Sequence, residues 1–102
     1  MNKPRKLIPV QLSKWGFDCF VKELTGRERR RYIENRVNDA DIQSCRLICM
    51  CLCDGNYHNL LQESDAEKVL DTWSDDDLAS VINTCCDLNG FGKYVASSIE
   101  KN

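Results

Sequence analysis

Residues 15–34 read WGFDCFVKELTGRERRRYIE, and the period of their apolar positions changes part-way along. Trp15, Phe17, Cys19 and Val21 fall at every second position, which puts them on one face of a strand. Phe20 breaks the alternation, so this strand is either covered on both sides near its end or lies at an edge where Phe20 meets a partner. Thr25 follows, with a hydroxyl suited to accept from the first helical amides, and Glu28 stands three residues on, placed to return a bond to the Thr25 amide. The stretch therefore predicts a strand that delivers the chain into a capped helix. Tyr32, Ile33, Arg36 and Val37 form the thin apolar stripe of that helix, which runs to about Arg36 with the other arginines around its wet side.

Downstream, Asn38 and Asp39 interrupt the pattern and a second helix begins near Asp39 to Asp41. Its apolar positions, Ile42, Cys45, Ile48, Cys49 and Leu52, recur at threes and fours and share one face. In CLCDGNYHNLL, residues 51–61, Asp54 and Gly55 signal a tight turn between short extended arms, a small hairpin. Ser64 with Glu67 makes a second capping pattern, opening a short helix toward Leu70 or Trp73, and Ser74 with Asp77 makes a third. Leu78, Val81, Ile82, Cys85 and Leu88 line the last helix, and Asn89-Gly90 gives it a left-handed exit. Asp75, Asp76 and Asp77 sit where the helix dipole favours negative charge, which accounts for them without catalysis.

Upstream, residues 1–14 read as a flexible basic arm in which Pro4 and Pro9 remove backbone donors. Residues 15–102 read as a single domain. The expected fold class is a mainly α, small α+β domain: an amino-terminal strand or short sheet portion, then about four helices, with a small hairpin between them.

At 102 residues the chain supports one modest core, burying roughly 60 to 68% of its unfolded surface. Apolar residues at 42% and charged residues at 29% are globular proportions, and no apolar run approaches the length of a membrane span. The first fifteen residues lack the apolar stretch and cleavage site of a secretory signal, so a cytoplasmic location with reduced thiols is expected. Net charge is −2 but unevenly spread: residues 1–36 carry ten Lys and Arg against four acids, residues 37–102 four against twelve. That asymmetry either steers one copy toward another or pairs the two halves inside a monomer, and overall acidity disfavours indiscriminate nucleic-acid binding.

The richest constellation is Cys45, Cys49, Cys51, Cys53 and His58. Zinc needs four converging ligands, but Cys51 points away from the helical face shared by Cys45 and Cys49, and the paired spacing of a zinc knuckle is missing. Packed thiols are the expected role, with no metal site. Adjacent Cys85 and Cys86 lack the spacing of a redox motif. His58 with Asp54 has no companion nucleophile, so no catalytic residue and no cofactor is predicted. Asp75–Asp77 and Asp87-Leu88-Asn89-Gly90 lack the ligand spacing of a calcium loop. Arg27, Arg29, Arg30 and Arg31 have the charge to contact phosphates, but a helix coated with arginine more often meets solvent or an acidic protein.

The order of these features carries a resemblance. An alternating segment entering VKELTGRERRRYIE, then ADIQSCRLICMCLCDGN, then NLLQESDAEKVLDTWSDDDLASVINTCCDLNG resembles the short tail assembly chaperones of long, non-contractile tailed bacteriophages. The resemblance covers about residues 15–92. Leu24, Thr25, Gly26, Arg27, Glu28 and Arg29 match the family's helix-opening motif, Asp54 and Gly55 its turn, and Leu88, Asn89 and Gly90 the end of its last helix. Family turns often run longer, with another acid before the glycine, and the cysteines lie outside the family pattern.

The resemblance implies a noncatalytic helper that binds and protects the tape-measure protein in the host bacterial cytoplasm before tail-tube polymerisation and is absent from the mature virion. It further implies a longer form, made by translational frameshifting, that recruits tail-tube subunits; self-association is the other partnership expected. Trp15, Phe17 and Phe20 are the protein-binding candidates for apolar contact, with Arg27, Arg30 and Arg31 at the rim. The alternative functions are a small nucleic-acid-binding regulatory protein or a structural tail subunit.

Overall fold

The computed structural model describes residues 5–13, 15 and 18–91. Its sheet has three short antiparallel strands in the order β1 (Leu7–Val10), β2 (Cys19–Lys22), β3 (Leu52–Cys53). β1 corrects the expectation of a loose arm for residues 5–13; residues 1–4 and 14 of that arm lie outside the described residues. Leu7 pairs with Lys22 and Val10 with Cys19, and Glu23 N donates to Lys6 O at 3.0 Å. Hydrogen-bonded pairs then recur at Lys6, Ile8 and Val10, so Pro9, opposite Phe20, turns its missing N–H to the free edge, where the ladder with β2 loses nothing. The segment is tied down beyond the strand too: Leu12 is buried, and Ser13 Oγ lies 2.8 Å from Asp77 Oδ2.

β2 is the central strand, so Phe20 pairs with both Pro9 and Cys53 and does not lie on an edge. The strand itself begins only at Cys19; Phe17, part of the predicted alternation, lies outside the described residues. Cys19 and Val21 face the helices and are buried, while the opposite side, with Phe20 and Lys22, is covered by the turn after β3. That turn is the predicted hairpin. Asp54 Oδ1 accepts from Asn56 N at 2.8 Å and His58 N at 3.0 Å, Cys53 bridges Asn59, and Leu60 N donates to Leu52 O. The left-handed residue is Tyr57, at φ 68°. Outside contacts hold it there: its hydroxyl donates to Arg5 O at 2.7 Å, and its carbonyl accepts from Lys22 Nζ at 3.3 Å.

Helix α1 (Gly26–Glu34) opens as the sequence predicts, with Thr25 Oγ1 accepting from Glu28 N at 3.1 Å and Thr25 N donating to Glu28 Oε1 at 2.9 Å. Helix α2 (Ala40–Cys51) is capped by Asp39, whose Oδ1 accepts from Asp41 N and Ile42 N. Its buried residues include Leu47, Met50 and Cys51 beside the predicted Cys45, Ile48 and Cys49, because α2 packs on β2 and on both helices that follow. A single-face stripe understates a helix enclosed by neighbours.

A 3₁₀ turn at Glu63–Asp65 leads into α3 (Ala66–Thr72). The Ser64–Glu67 cap does not form; Asp65 Oδ2 instead accepts from Gln62 N at 2.9 Å, moving the opening upstream. Helix α4 (Asp75–Asn89) begins on Ser74, whose Oγ accepts from Asp77 N at 3.1 Å, and ends at left-handed Gly90, φ 74°. Val81, Ile82 and Cys85 of α4 meet Cys49, Ile48 and Cys51 of α2 in one core with Val21 and Leu52 beneath. The result is a small, mainly helical domain with a short sheet at its amino-terminal side and, among the described residues, four helices.

Candidate protein-interaction surface

Nine residues give α1 two and a half turns, enough for one inward face. Tyr32 fills that face, buried, its hydroxyl donating to Gln43 O at 3.0 Å and its ring 5.4 Å from that of Phe91. Arg29 turns the same way. Its Nε donates to Asn89 O at 3.1 Å and its guanidinium stacks 4.5 Å above the Phe91 ring, placing positive charge at the carboxyl end of α4.

With Arg29 turned inward, Arg27, Arg30, Arg31 and Glu34 are left on the outer side, where with Gly26 they line an open basin of about 660 Å³. Arg31 is committed to Glu63, which also takes Arg46 Nη2 at 3.2 Å. Burial alone would raise the Glu63 carboxyl, but the two guanidinium hydrogen bonds outweigh it and hold the group below the usual carboxylate range. Arg27 and Arg30 form no ion pair among the described residues.

Ile33 and Val37, which the periodicity assigns to the inward stripe, are instead 45% and 38% exposed. The helix stops at Glu34, so Val37 lies beyond it, and Ile33 follows Arg30 by three positions along the outer flank. The outward face is therefore cationic with an apolar margin. A short helix with only Tyr32 buried signals this in the sequence: one large side chain, not four, satisfies its inner face.

The other contact candidates stand elsewhere. Trp15 is half-buried, its ring 5.9 Å from that of Trp73 in an edge-on arrangement, beside the Ser13–Asp77 contact at the start of α4. Arg27 and Arg30 stand near the exit of α4, reached through Arg29 and Asn89. Fifteen helical residues, about 22 Å, separate those two ends. Phe20 is half-buried beneath the turn; a Cβ on Gly55 would lie 3.6 Å from its ring. Trp15 and the arginines thus belong to different ends of the domain, and the single patch expected of them, aromatic centre with arginine rim, does not form among the described residues.

The seven cysteines are all free and buried. Burial pushes Cys49 up to about 12 and Cys45 and Cys86 each to about 11. Cys85 is raised by its hydrogen bond with Cys51 and by burial. Such thiols stay protonated near neutrality and are poor nucleophiles. Among the described residues no three His, Cys, Asp or Glu side chains converge as metal ligands. His58 Nδ1 lies 3.6 Å from Asp54 Oδ2 on an exposed turn, where backbone hydrogen bonds from Asn56 and His58 lower the Asp54 carboxyl. No helix among the described residues is long and apolar enough to cross a membrane. No family model, curated protein or solved structure matches the chain.

Proposed function

We propose that this chain is a noncatalytic tail assembly chaperone of a long-tailed bacteriophage, which binds and protects the tape-measure protein before the tail tube polymerises around it. The observation that carries the reading is the outer face of α1: Arg27 and Arg30 without acidic partners among the described residues, beside exposed Ile33 and Val37, on a helix opened by the Leu24–Arg29 segment that resembles the family. A long helical client has apolar stripes that aggregate until the tube encloses them. Small domains that cover those stripes reversibly keep the client soluble, and a shallow, open, mixed surface suits reversible cover better than a deep pocket does. In this reading the protein works in the host cytoplasm, leaves before the virion matures, and has a longer frameshifted form that brings in tail-tube subunits.

The test is copurification, under reducing conditions, with the long helical tape-measure candidate encoded by the same phage, followed by light scattering of the eluate. A soluble complex formed only on coexpression is expected. No binding by folded protein to soluble fragments spanning the whole client would overturn the proposal, and stoichiometric retention in finished tails would replace a helper with a structural subunit.

A further inference from the structure

Arg27, Arg30 and Ile33 are spaced by threes on α1, so they form one ridge along its outer side. All three are exposed, and each step along the ridge advances about 4.5 Å. The ridge is graded. Two guanidiniums stand toward the amino end of the helix, then an apolar side chain toward its carboxyl end, with exposed Val37 just past the last turn. Arg27 and Arg30 form no ion pair among the described residues, whereas Arg31 on the far flank is already taken by Glu63. Glu34 lines the same basin, one turn beyond Arg30.

This grading chooses among anionic partners. A nucleic-acid backbone carries a charge at every nucleotide, so a strand laid along the basin would set some of them against Glu34. It would also leave Ile33 uncovered, and the ridge has no aromatic ring on which a base could stack. A helix whose carboxylates border an apolar stripe fits the same surface throughout. With the three-spaced ridge of α1 lying in its groove at a shallow crossing, two acids one turn apart reach Arg27 and Arg30, and a large apolar residue one turn further reaches Ile33.

We propose that the outer face of α1 binds an amphipathic helical segment of the client that carries two carboxylates, one turn apart, beside its apolar stripe. Arg27 and Arg30 take the carboxylates, while Ile33 and Val37 cover the end of the stripe. Who the partner is rests on the chaperone reading above; what is added is the chemistry by which a segment is chosen. Acids select the segment, basic flanks are refused by like charge, and the apolar contact supplies the cover. Exposed ion pairs are individually weak and screened by salt, which keeps that cover removable.

The test is fluorescence anisotropy with the reduced, full-length chain and three labelled synthetic helical peptides. They share one leucine stripe and differ only at two flanking positions four apart: Glu in the first, Gln in the second, Lys in the third. The Glu peptide is expected to bind in low salt, the Gln peptide roughly fivefold or more weaker and the Lys peptide weaker still, with the first two converging in about 0.5 M salt. Arg27→Gln with Arg30→Gln removes the difference between the Glu and Gln peptides, whereas Ile33→Ser weakens both equally. Circular dichroism checks that these exposed substitutions leave the fold intact, and if the double variant fails to fold, the wild-type peptide and salt series still decide the matter. Equal binding of the Glu and Gln peptides overturns the proposal, as does no binding of any peptide up to about 1 mM, or a single-stranded RNA oligonucleotide that displaces the Glu peptide and binds more tightly. The two readings fail separately. Tape-measure fragments that bind equally well with their flanking acids kept or changed to amides sink this recognition and leave the chaperone standing. A Glu peptide that binds as expected, beside a whole client that does not, sinks the chaperone reading and upholds the chemistry of the surface.

Discussion

Asn89 accepts the Leu24 amide on its carboxamide oxygen at 2.7 Å, joining the last turn of α4 to the point where the chain leaves β2 and prepares to enter α1. Its other end is also engaged, Nδ2 donating to Cys85 O at 3.0 Å and lying 3.6 Å from Cys51 Sγ. One buried side chain thus fixes the β2–α1 junction against the end of α4. Replacing Asn89 with Leu strands the Leu24 donor away from water and is expected to cost about 2 to 3 kcal/mol in urea unfolding. A loss below about 0.5 kcal/mol would mean that water or a neighbour takes over the amide.

Thr25→Ala removes one half of the capping box while Glu28 retains Arg5 as a partner at 3.1 Å. A loss of about 1 kcal/mol is expected, with Thr25→Ser close to wild type, because the hydroxyl and not the methyl satisfies the Glu28 amide. Equal losses in both variants would point to packing of the methyl instead.

Much of this architecture is readable from local chemistry. Thr25, Ser74 and Gly90 act where their residue types predict, and the Asp54 turn forms, because caps and turns depend on atoms within four residues of each other. β1 is not readable in the same way. Leu7–Val10 contains a proline and becomes a strand only through pairing with a segment twelve residues on. Asn89 reads as helix punctuation, and nothing nearby announces that its side chain reaches Leu24. The candidate surface divides similarly: the arginine face follows from helical spacing, but its separation from Trp15 does not, since it depends on contacts distant in sequence, Trp15 with Trp73 and Arg29 with Asn89.

The thiols give a pH prediction. Cys45, Cys49 and Cys86 hold their protons to about 11, about 12 and about 11, above the ordinary 9.0. The native state therefore binds protons more tightly than the unfolded chain between those values. Their contribution is whole below about pH 9 and drains as pH rises, each thiol steepening the fall by up to about 1.4 kcal/mol per pH unit. Unfolding series from pH 8 to 11 should show that decline, accompanied by slow labelling of the native protein by a thiol reagent and labelling of all seven cysteines in denaturant. Fast native labelling at pH 8 would contradict it.

Glu63 titrates in the opposite sense. Its carboxyl is held below the ordinary 4.5, so its contribution is present above that value and lost as pH falls through the folded pKa. Glu63→Gln is expected to cost about 1 kcal/mol at pH 7, the pair with Arg31 being partly exposed, and the difference from wild type should narrow in acid. A difference that stays constant down to pH 3 would assign the effect to shape and not to charge.

Pro9 gives the sheet a boundary written in covalent chemistry. A foreign strand arriving alongside Leu7–Val10 would reach for a proton that the pyrrolidine ring has replaced with carbon, and its ladder would stop there. A free edge that lacks this donor is a poor template for another strand, so the sheet is guarded against recruitment into fibres.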